Sequence, residues 1–174
     1  MVFMVLTIAV LCLTEYYNIS KYIELRPQSA TGYFISIFAI VLTFLVSKGI
    51  LPLESFIVLF PIIFTVFIIQ LYHKHKSPIE NISFTFLPVI HIAIPLSLLV
   101  ILGHLTGEYD YRVNVGIMLL IWSSDTFAYL VGITIGRTPL FQRISPKKSW
   151  EGFIGGSIAT FVVSQYIAKY WILL

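Results

Sequence analysis

A chain of 174 residues in which 58% are hydrophobic and only 11% are charged lies outside the range of water-soluble proteins, where about 25% of residues are charged. The formal net charge of +3 does not indicate nucleic-acid binding, because lysine and arginine beside apolar runs set membrane orientation and attract anionic headgroups. We therefore predict a polytopic membrane protein with no nucleic-acid partner. The single cysteine, Cys12, excludes an intrachain disulfide and a cysteine-based metal cluster.

Six apolar runs follow one another along the chain. A helix needs about 20 apolar residues to cross the hydrocarbon core, and only helices or closed barrels satisfy their backbone hydrogen bonds in lipid. The runs are longer than barrel strands and show no polar–apolar alternation, so they predict an all-α fold. We expect a polytopic transmembrane helix bundle of about six spanning segments, in a single domain over residues 1–174. The runs are Met1–Thr14, Gly32–Ser47, Ser55–Tyr72, Ser83–Gly103, Val113–Gly136 and Gly152–Leu174.

The first run is short for a span, which favours a chain that begins partway through a helix. Pro61, Pro88 and Pro95 lie inside later runs, where neighbouring helices can satisfy the carbonyl groups that a proline leaves free. Kinks are therefore expected at these three positions.

Lysine and arginine residues are distributed unequally between the two sides of the predicted bundle. Alternating spans place loops 15–31, 73–82 and 137–151 on one side with eight of these residues, against three on the other. By the positive-inside rule, these loops face the cytoplasm, at the inner membrane if the source is bacterial. The stretch His73-Lys74-His75-Lys76 predicts a loop that binds lipid headgroups and not a metal, because a cation lies beside each histidine.

Asp125 is the only charged residue between Val113 and Gly136. A carboxylate at bilayer depth costs roughly 2.5–3.5 kcal/mol on insertion scales, so it usually has a function. Tyr129 lies on the same helical face, followed by Gly132 and Gly136. The alternative is structural: Asp125 pairs with Lys169 or a backbone group, and the glycines allow close helix packing.

A basic element follows, with the sequence Ser145-Pro146-Lys147-Lys148-Ser149-Trp150-Glu151-Gly152. Serine before proline is typical of a helix start, so a helix is predicted to begin around Pro146 with Ser145 as its N-cap. Free N–H groups beside Lys147 and Lys148 would then bind phosphate. The alternative is a capped helix whose lysines only follow the positive-inside rule. Glu151 beside the lysines predicts a ligand for Mg²⁺ or a partner that orients a lysine.

Two stretches of this region resemble the phosphatidate cytidylyltransferase family, also called CDP-diacylglycerol synthases. They are Trp122-x-x-Asp125-x-x-Ala128-Tyr129-x-x-Gly132-x-x-x-Gly136-Arg137 and Ile144-Ser145-Pro146-Lys147-Lys148-Ser149-Trp150-Glu151-Gly152 with Gly155-Gly156. Family members usually have threonine at the position of Ser149. Their C-terminal signature has no counterpart after Gly156, so we expect the N-terminal and central part of a longer enzyme, truncated and catalytically incomplete.

The resemblance implies transfer of the cytidylyl group of CTP to phosphatidate, which gives CDP-diacylglycerol and pyrophosphate in phospholipid biosynthesis. The residues that it implies in substrate binding are Ser145, Lys147, Lys148, Ser149 and Tyr129. Those implied in catalysis are Asp125, Lys148 and Glu151. Asp125 and Glu151 would hold Mg²⁺. The expected partners are CTP, phosphatidate and membrane lipid, and a homodimer is left open.

Two other functions stay open. A CTP-dependent membrane lipid kinase would use the same lysines and carboxylate but transfer the γ-phosphoryl group. A secondary transporter would use Asp125 as a proton or ion site, with helices broken at Pro88 and Pro95.

Overall fold

The computed structural model describes residues 1–22, 25–72, 77–105 and 107–172. In this part of the chain, seven α-helices account for most of the regular structure, together with one short β-hairpin. The helices are α1 (Val2–Tyr22), α2 (Ser29–Ser47), α3 (Leu59–Tyr72), α4 (Pro78–Pro88), α5 (Ile94–Leu102), α6 (Tyr111–Ile135) and α7 (Trp150–Ile167). The strands are β1 (Pro139–Phe141) and β2 (Ser145–Ser149). The prediction of an all-α membrane protein is confirmed.

Five helical segments of the described residues are long and apolar enough to cross a membrane. They are Val2–Ser20, Ser29–Ser47, Leu53–Tyr72, Pro78–Leu102 and Tyr111–Ile135. The sixth predicted run, Gly152–Leu174, falls on α7, which is not among these five. The first run does not stop at Thr14, because α1 continues to Tyr22; this correction gives α1 the length of a span. The predicted headgroup loop, His73 to Lys76, lies outside the described residues.

Two of the prolines coincide with a break in helical geometry. Pro88 ends α4, a π-helical turn occupies Val89–Ala93, and Pro95 lies in the first turn of α5. Proline lacks an N–H group and therefore removes an intrahelical hydrogen bond. This loss explains the change from α-helical to π-helical geometry in this span. Pro61 instead lies near the start of α3, just after a 3₁₀ turn at Leu53–Val58.

The chain separates into two compact units, Met1–Tyr109 and Asp110–Leu174, which we call unit 1 and unit 2. The expectation of a single domain stays a prediction. Unit 1 has a core of small and branched apolar side chains from α1, α2 and the segment around α5. These buried residues are Val5, Ala9, Ile40, Ala93 and Val100.

A polar network lies inside unit 1, near the end of α1. The side-chain amide of Gln28 donates to the carbonyl oxygen of Val66 at 2.9 Å and to Oε1 of Gln70 at 3.2 Å. The backbone N–H of Gln28 donates to the hydroxyl of Thr85 at 2.9 Å. Because buried polar groups are costly unless they are hydrogen-bonded, these bonds hold Gln28, at the start of α2, against α3 and α4.

Unit 2 consists of α6, the β1–β2 hairpin and α7. Asp110 caps α6, since its carboxylate accepts the backbone N–H of Arg112 at 2.8 Å. Position 152 of α7 lies beside Ala128 and Gly132, whereas position 156 lies beside Ser124 and Ala128. As α7 advances, its neighbours on α6 recede, so the two helices are antiparallel and the hairpin lies at their shared end.

Candidate active site in unit 2

Helix α7 begins at Trp150 and not at Pro146, so the predicted helix start is wrong. Residues 145–149 form β2, which pairs with β1. Ser149 and not Ser145 is the N-cap, because its Oγ accepts the backbone N–H of Gly152 at 3.2 Å. The Ser-Pro pair is a local helix signal, but pairing with β1 keeps these residues extended.

The N–H groups that were expected to bind phosphate at this helix start are already bonded within the protein. The N–H of Trp150 donates to the carbonyl oxygen of Thr138 at 2.9 Å, and that of Gly152 donates to Ser149. The N–H of Glu151 is bonded to its own carboxylate. The groups of residues 145–152 that can bind an anion are therefore the ammonium groups of Lys147 and Lys148.

Lys147 and Lys148 lie in a bulge of the hairpin. Pro139 pairs with Ser149 and Phe141 with Ser145, and the register shifts between them. Leu140 alone therefore stands opposite the three residues 146–148, all of which are exposed. A bulge interrupts the ladder and redirects the side chains of the extra residues, so both lysines project from the hairpin surface.

The Glu151 carboxylate joins the start of α7 to the segment after α6. It accepts the hydroxyl of Thr138 at 2.8 Å and the backbone N–H of Thr138 at 3.2 Å. It also accepts the backbone N–H of Arg137 at 3.2 Å. Successive backbone N–H groups that converge in this way form an anion-binding concavity, and Glu151 fills it. We call this set of bonds the Thr138–Glu151 clasp.

These bonds stabilise the ionised form of Glu151. The hydrogen bond from its own backbone N–H lowers its pKa most, and the Thr138 hydroxyl follows. Together with the N–H groups of Thr138 and Arg137, they bring the pKa of Glu151 from its ordinary 4.5 to about 2. Hydrogen bonds to a carboxylate favour its charged form, so Glu151 is an anion at any physiological pH.

Glycines allow α6 and α7 to approach within backbone contact. A β-carbon on Gly152 would lie 2.7 Å from the carbonyl oxygen of Ala128, and one on Gly156 would lie 2.8 Å from that of Ser124. One on Gly136 would lie 2.5 Å from the Ser149 hydroxyl. Close packing therefore depends on Gly152 and Gly156 of α7 and on Gly136, whereas a β-carbon on Gly132 would make only an ordinary contact, and these contacts fix where the hairpin leaves the helix pair.

Asp125 and Tyr129 lie on α6, away from the hairpin. Both are exposed in the described structure, Tyr129 to 67%. In the described part of the chain, Asp125 makes no hydrogen bond or ion pair. The predicted alternative, a pair with Lys169, is not formed: that ammonium group lies over the Tyr170 ring, 5.1 Å from its centroid.

The two predicted metal ligands lie at different levels of the α6–α7 pair, and their joint binding of one ion stays a prediction. Ten residues separate Asp125 from Ile135 at the end of α6, which is about 15 Å at 1.5 Å per residue, and Glu151 is bonded to residues beyond that end. No group of three or more His, Cys, Asp or Glu side chains that could hold a metal occurs among the described residues.

Sequence reasoning missed Thr138, which bonds to the start of α7 through its hydroxyl, its N–H and its carbonyl group. Its hydroxyl and N–H hold Glu151, and its carbonyl accepts the N–H of Trp150. The available signal was Gly136, which ends α6 with an extended backbone and so turns the next residues back towards α7.

The whole chain matches a known protein family. The family is described as the cytidylyltransferase family, and its model matches residues 1–173. The chain belongs to this family. The chain is similar to curated relatives from bacteria and animals, and no solved structure matches it.

Three of these relatives are named phosphatidate cytidylyltransferases. The Rickettsia typhi protein is 37% identical over 51% of this chain and 38% of its own length. The Rickettsia bellii protein is 30% identical over 71% of this chain and 60% of its own length. The human phosphatidate cytidylyltransferase 1 is 37% identical over 62% of this chain and 22% of its own length. The chain thus spans less than two thirds of each of these relatives.

Proposed function

We propose that this chain is part of a membrane enzyme that transfers the cytidylyl group of CTP to phosphatidate. The products are CDP-diacylglycerol and pyrophosphate, in phospholipid biosynthesis. One observation carries the proposal: two exposed lysines lie on a bulged hairpin that the Thr138–Glu151 clasp fixes to a pair of apolar helices. Such a site presents cations to a nucleotide at the membrane, where a lipid substrate also lies.

The chemistry requires positioning and charge neutralisation more than a covalent nucleophile. A phosphate oxygen of phosphatidate attacks the α-phosphorus of CTP, the bond from the α-phosphorus to the bridging oxygen breaks, and pyrophosphate leaves with that oxygen. Lys147 and Lys148 bind phosphate oxygens of CTP or pyrophosphate and offset the charge that develops there. The Ser149 hydroxyl caps α7, so its contribution to substrate binding is to hold the hairpin in place. Ser145, at the first position of β2, and Tyr129 complete the proposed binding residues.

Mg²⁺ is the proposed cofactor, with Asp125 as one protein ligand. Mg²⁺ is commonly held by one or two carboxylates plus substrate phosphates, and the Asp125 carboxylate is exposed, so this residue fits. When bound, the ion would supply charge neutralisation to the phosphates. Glu151, whose oxygens accept hydrogen bonds from Arg137 and Thr138, is the second proposed ligand.

The proposed orientation places the hairpin in the cytoplasm, where CTP is found, at the inner membrane if the source is bacterial. The eight-to-three distribution of lysine and arginine supports this orientation. Single cysteines at Gln142 and Glu108, in a Cys12→Ser background, should react differently with an impermeant reagent on intact cells. Labelling at position 108 alone is expected, and labelling at 142 alone would reverse the orientation. A homodimer stays a prediction.

Labelled CTP tests the reaction directly. The complete protein encoded by the gene would be purified in detergent and incubated with CTP labelled at either the α- or the γ-phosphorus, together with either phosphatidate or a lipid alcohol such as diacylglycerol. Label from the α-phosphorus in the lipid, with an equal amount of pyrophosphate, is the expected result. Lipid labelled from the γ-phosphorus, with CDP released, would instead identify the lipid kinase. Lipid labelled from neither position would refute the proposal. The relatives support neither the kinase nor the transporter.

A further inference from the structure

The two ends of the β-hairpin are held together mainly through one residue. Thr138 precedes β1, whereas Trp150 and Glu151 follow β2. The carbonyl oxygen of Thr138 accepts the N–H of Trp150 at 2.9 Å, and its hydroxyl donates to Glu151 at 2.8 Å. Its backbone N–H donates to both oxygens of the same carboxylate at 3.2 Å.

The hairpin needs this support because its own ladder is short. β1 has three residues, β2 has five, and the register shifts between their two pairs. An isolated two-stranded hairpin is marginally stable in water, and the bulge removes part of the ladder. The bonds made by Thr138 therefore decide whether residues 139–149 keep one conformation.

We propose that Thr138 is a positioning residue for the nucleotide: through the Glu151 carboxylate, it fixes the bulged hairpin that presents Lys147 and Lys148. This inference rests on the proposed function. Thr138 acts through other residues and is not a catalytic residue. A lysine on a loose hairpin still carries its charge, but ordering it on binding costs conformational entropy, and misplaced groups lose much of their effect on a reaction.

Two substitutions separate the effect of the Thr138 hydroxyl from that of its shape, and a third serves as the control. Thr138→Val keeps the branched shape and removes the donor, whereas Thr138→Ser keeps the donor. Thr134→Val is the matched control, because among the described residues the Thr134 hydroxyl donates only within α6, to the carbonyl oxygens of Leu130 and Val131. All three would be made in the complete protein encoded by the gene.

Hydrogen exchange measured by mass spectrometry reports on the hairpin itself. In Thr138→Val, exchange in residues 139–150 should be about tenfold faster, the size expected for the loss of a hydrogen bond to a charged group. Exchange in α6 should stay the same. Thr138→Ser and Thr134→Val should both stay within about twofold of the wild type. Equal exchange in Thr138→Val and Thr134→Val would overturn the inference.

Steady-state kinetics test the consequence for the nucleotide. The KM for CTP should rise about tenfold in Thr138→Val, with the KM for phosphatidate unchanged, and Thr138→Ser should restore the wild-type value. Equal changes in both KM values would indicate general destabilisation and contradict a positioning role. Failure of the proposed function would appear differently: the wild type would not turn over CTP, while hydrogen exchange would still decide whether Thr138 holds the hairpin.

Discussion

Gly152 lies against the backbone of Ala128 so closely that a β-carbon at position 152 would stand 2.7 Å from the Ala128 carbonyl oxygen. Backbone cannot rotate away as a side chain can, so any larger residue must push α7 from α6. The hairpin is attached to the ends of both helices, and its position therefore depends on this contact.

Alanine at Gly152 or Gly156 should destabilise the protein. Each new methyl group would meet a backbone oxygen within 2.8 Å, and such overpacking costs about 1–3 kcal/mol, more than the roughly 1 kcal/mol that alanine gains in helix propensity. Gly132→Ala is the matched control, because its β-carbon would lie 3.5 Å from the Ser149 hydroxyl, an ordinary contact. Thermal unfolding in detergent should show lower midpoints for the first two variants only. A lower midpoint for Gly132→Ala alone would contradict the observed packing.

The start of α7 can be located by removing the two candidate caps. Ser149→Ala should cost about 1 kcal/mol, because it removes the hydroxyl that accepts the Gly152 N–H. Ser145→Ala should cost much less, since Ser145 begins β2 and caps no helix. Ser149→Thr should retain the cap. The free energy of unfolding decides between them, and a larger loss in Ser145→Ala would restore the helix start at Pro146.

Lys147→Gln and Lys148→Gln should weaken CTP binding without affecting membrane insertion. A hydrogen bond to a charged group contributes about 1.5–3 kcal/mol, so the KM for CTP should rise about tenfold or more in at least one variant. Arg143→Gln is the control, because Arg143 lies in the turn of the same hairpin and outside the bulge. Unchanged kinetics in both lysine variants would mean that the lysines serve only to orient the protein in the membrane.

Asp125→Asn should change the Mg²⁺ requirement and leave stability unchanged. The amide keeps the size of the side chain and removes its charge, so the Mg²⁺ concentration for half-maximal rate should rise by at least the roughly 10–100-fold that loss of a supporting group costs a metal site. The unfolding midpoint should not fall, because Asp125 forms no ion pair with Lys169 in the described structure. A fall in the midpoint with an unchanged Mg²⁺ titration would assign Asp125 to helix packing.

Acid should open the hairpin only well below neutral pH. The pKa of Glu151 is lowered from 4.5 to about 2, so the ionised carboxylate stabilises the folded hairpin fully above pH 4.5. This stabilisation is lost as the pH falls from about 4.5 to about 2. Hydrogen exchange of residues 139–150, corrected for its intrinsic pH dependence, should be constant from pH 7 to 5 and accelerate below. Glu151→Gln should remove the acceleration, and a transition near pH 6 would contradict the role of Glu151.

Composition and residue order were sufficient to predict the membrane helices, the notable charged residues and the family of this protein. The apolar runs predicted membrane helices because lipid leaves the backbone few other ways to satisfy its hydrogen bonds. Asp125 stood out because a charge inside the bilayer is costly. The two lysines stood out because lysine and arginine beside a span set its orientation. The order of residues between Trp122 and Gly156 also identified the family, which the match over residues 1–173 confirms.

Only the tertiary structure decided where α7 begins and what Glu151 binds. The Ser-Pro pair predicts a helix start from local preference, yet residues 145–149 are extended because β1 pairs with them. Glu151 finds its partners at Thr138 and Arg137, thirteen and fourteen residues earlier. A local pattern determines which conformations a segment prefers, whereas pairing with a distant segment determines which one it adopts, since the hydrogen bonds gained there outweigh a weak intrinsic preference.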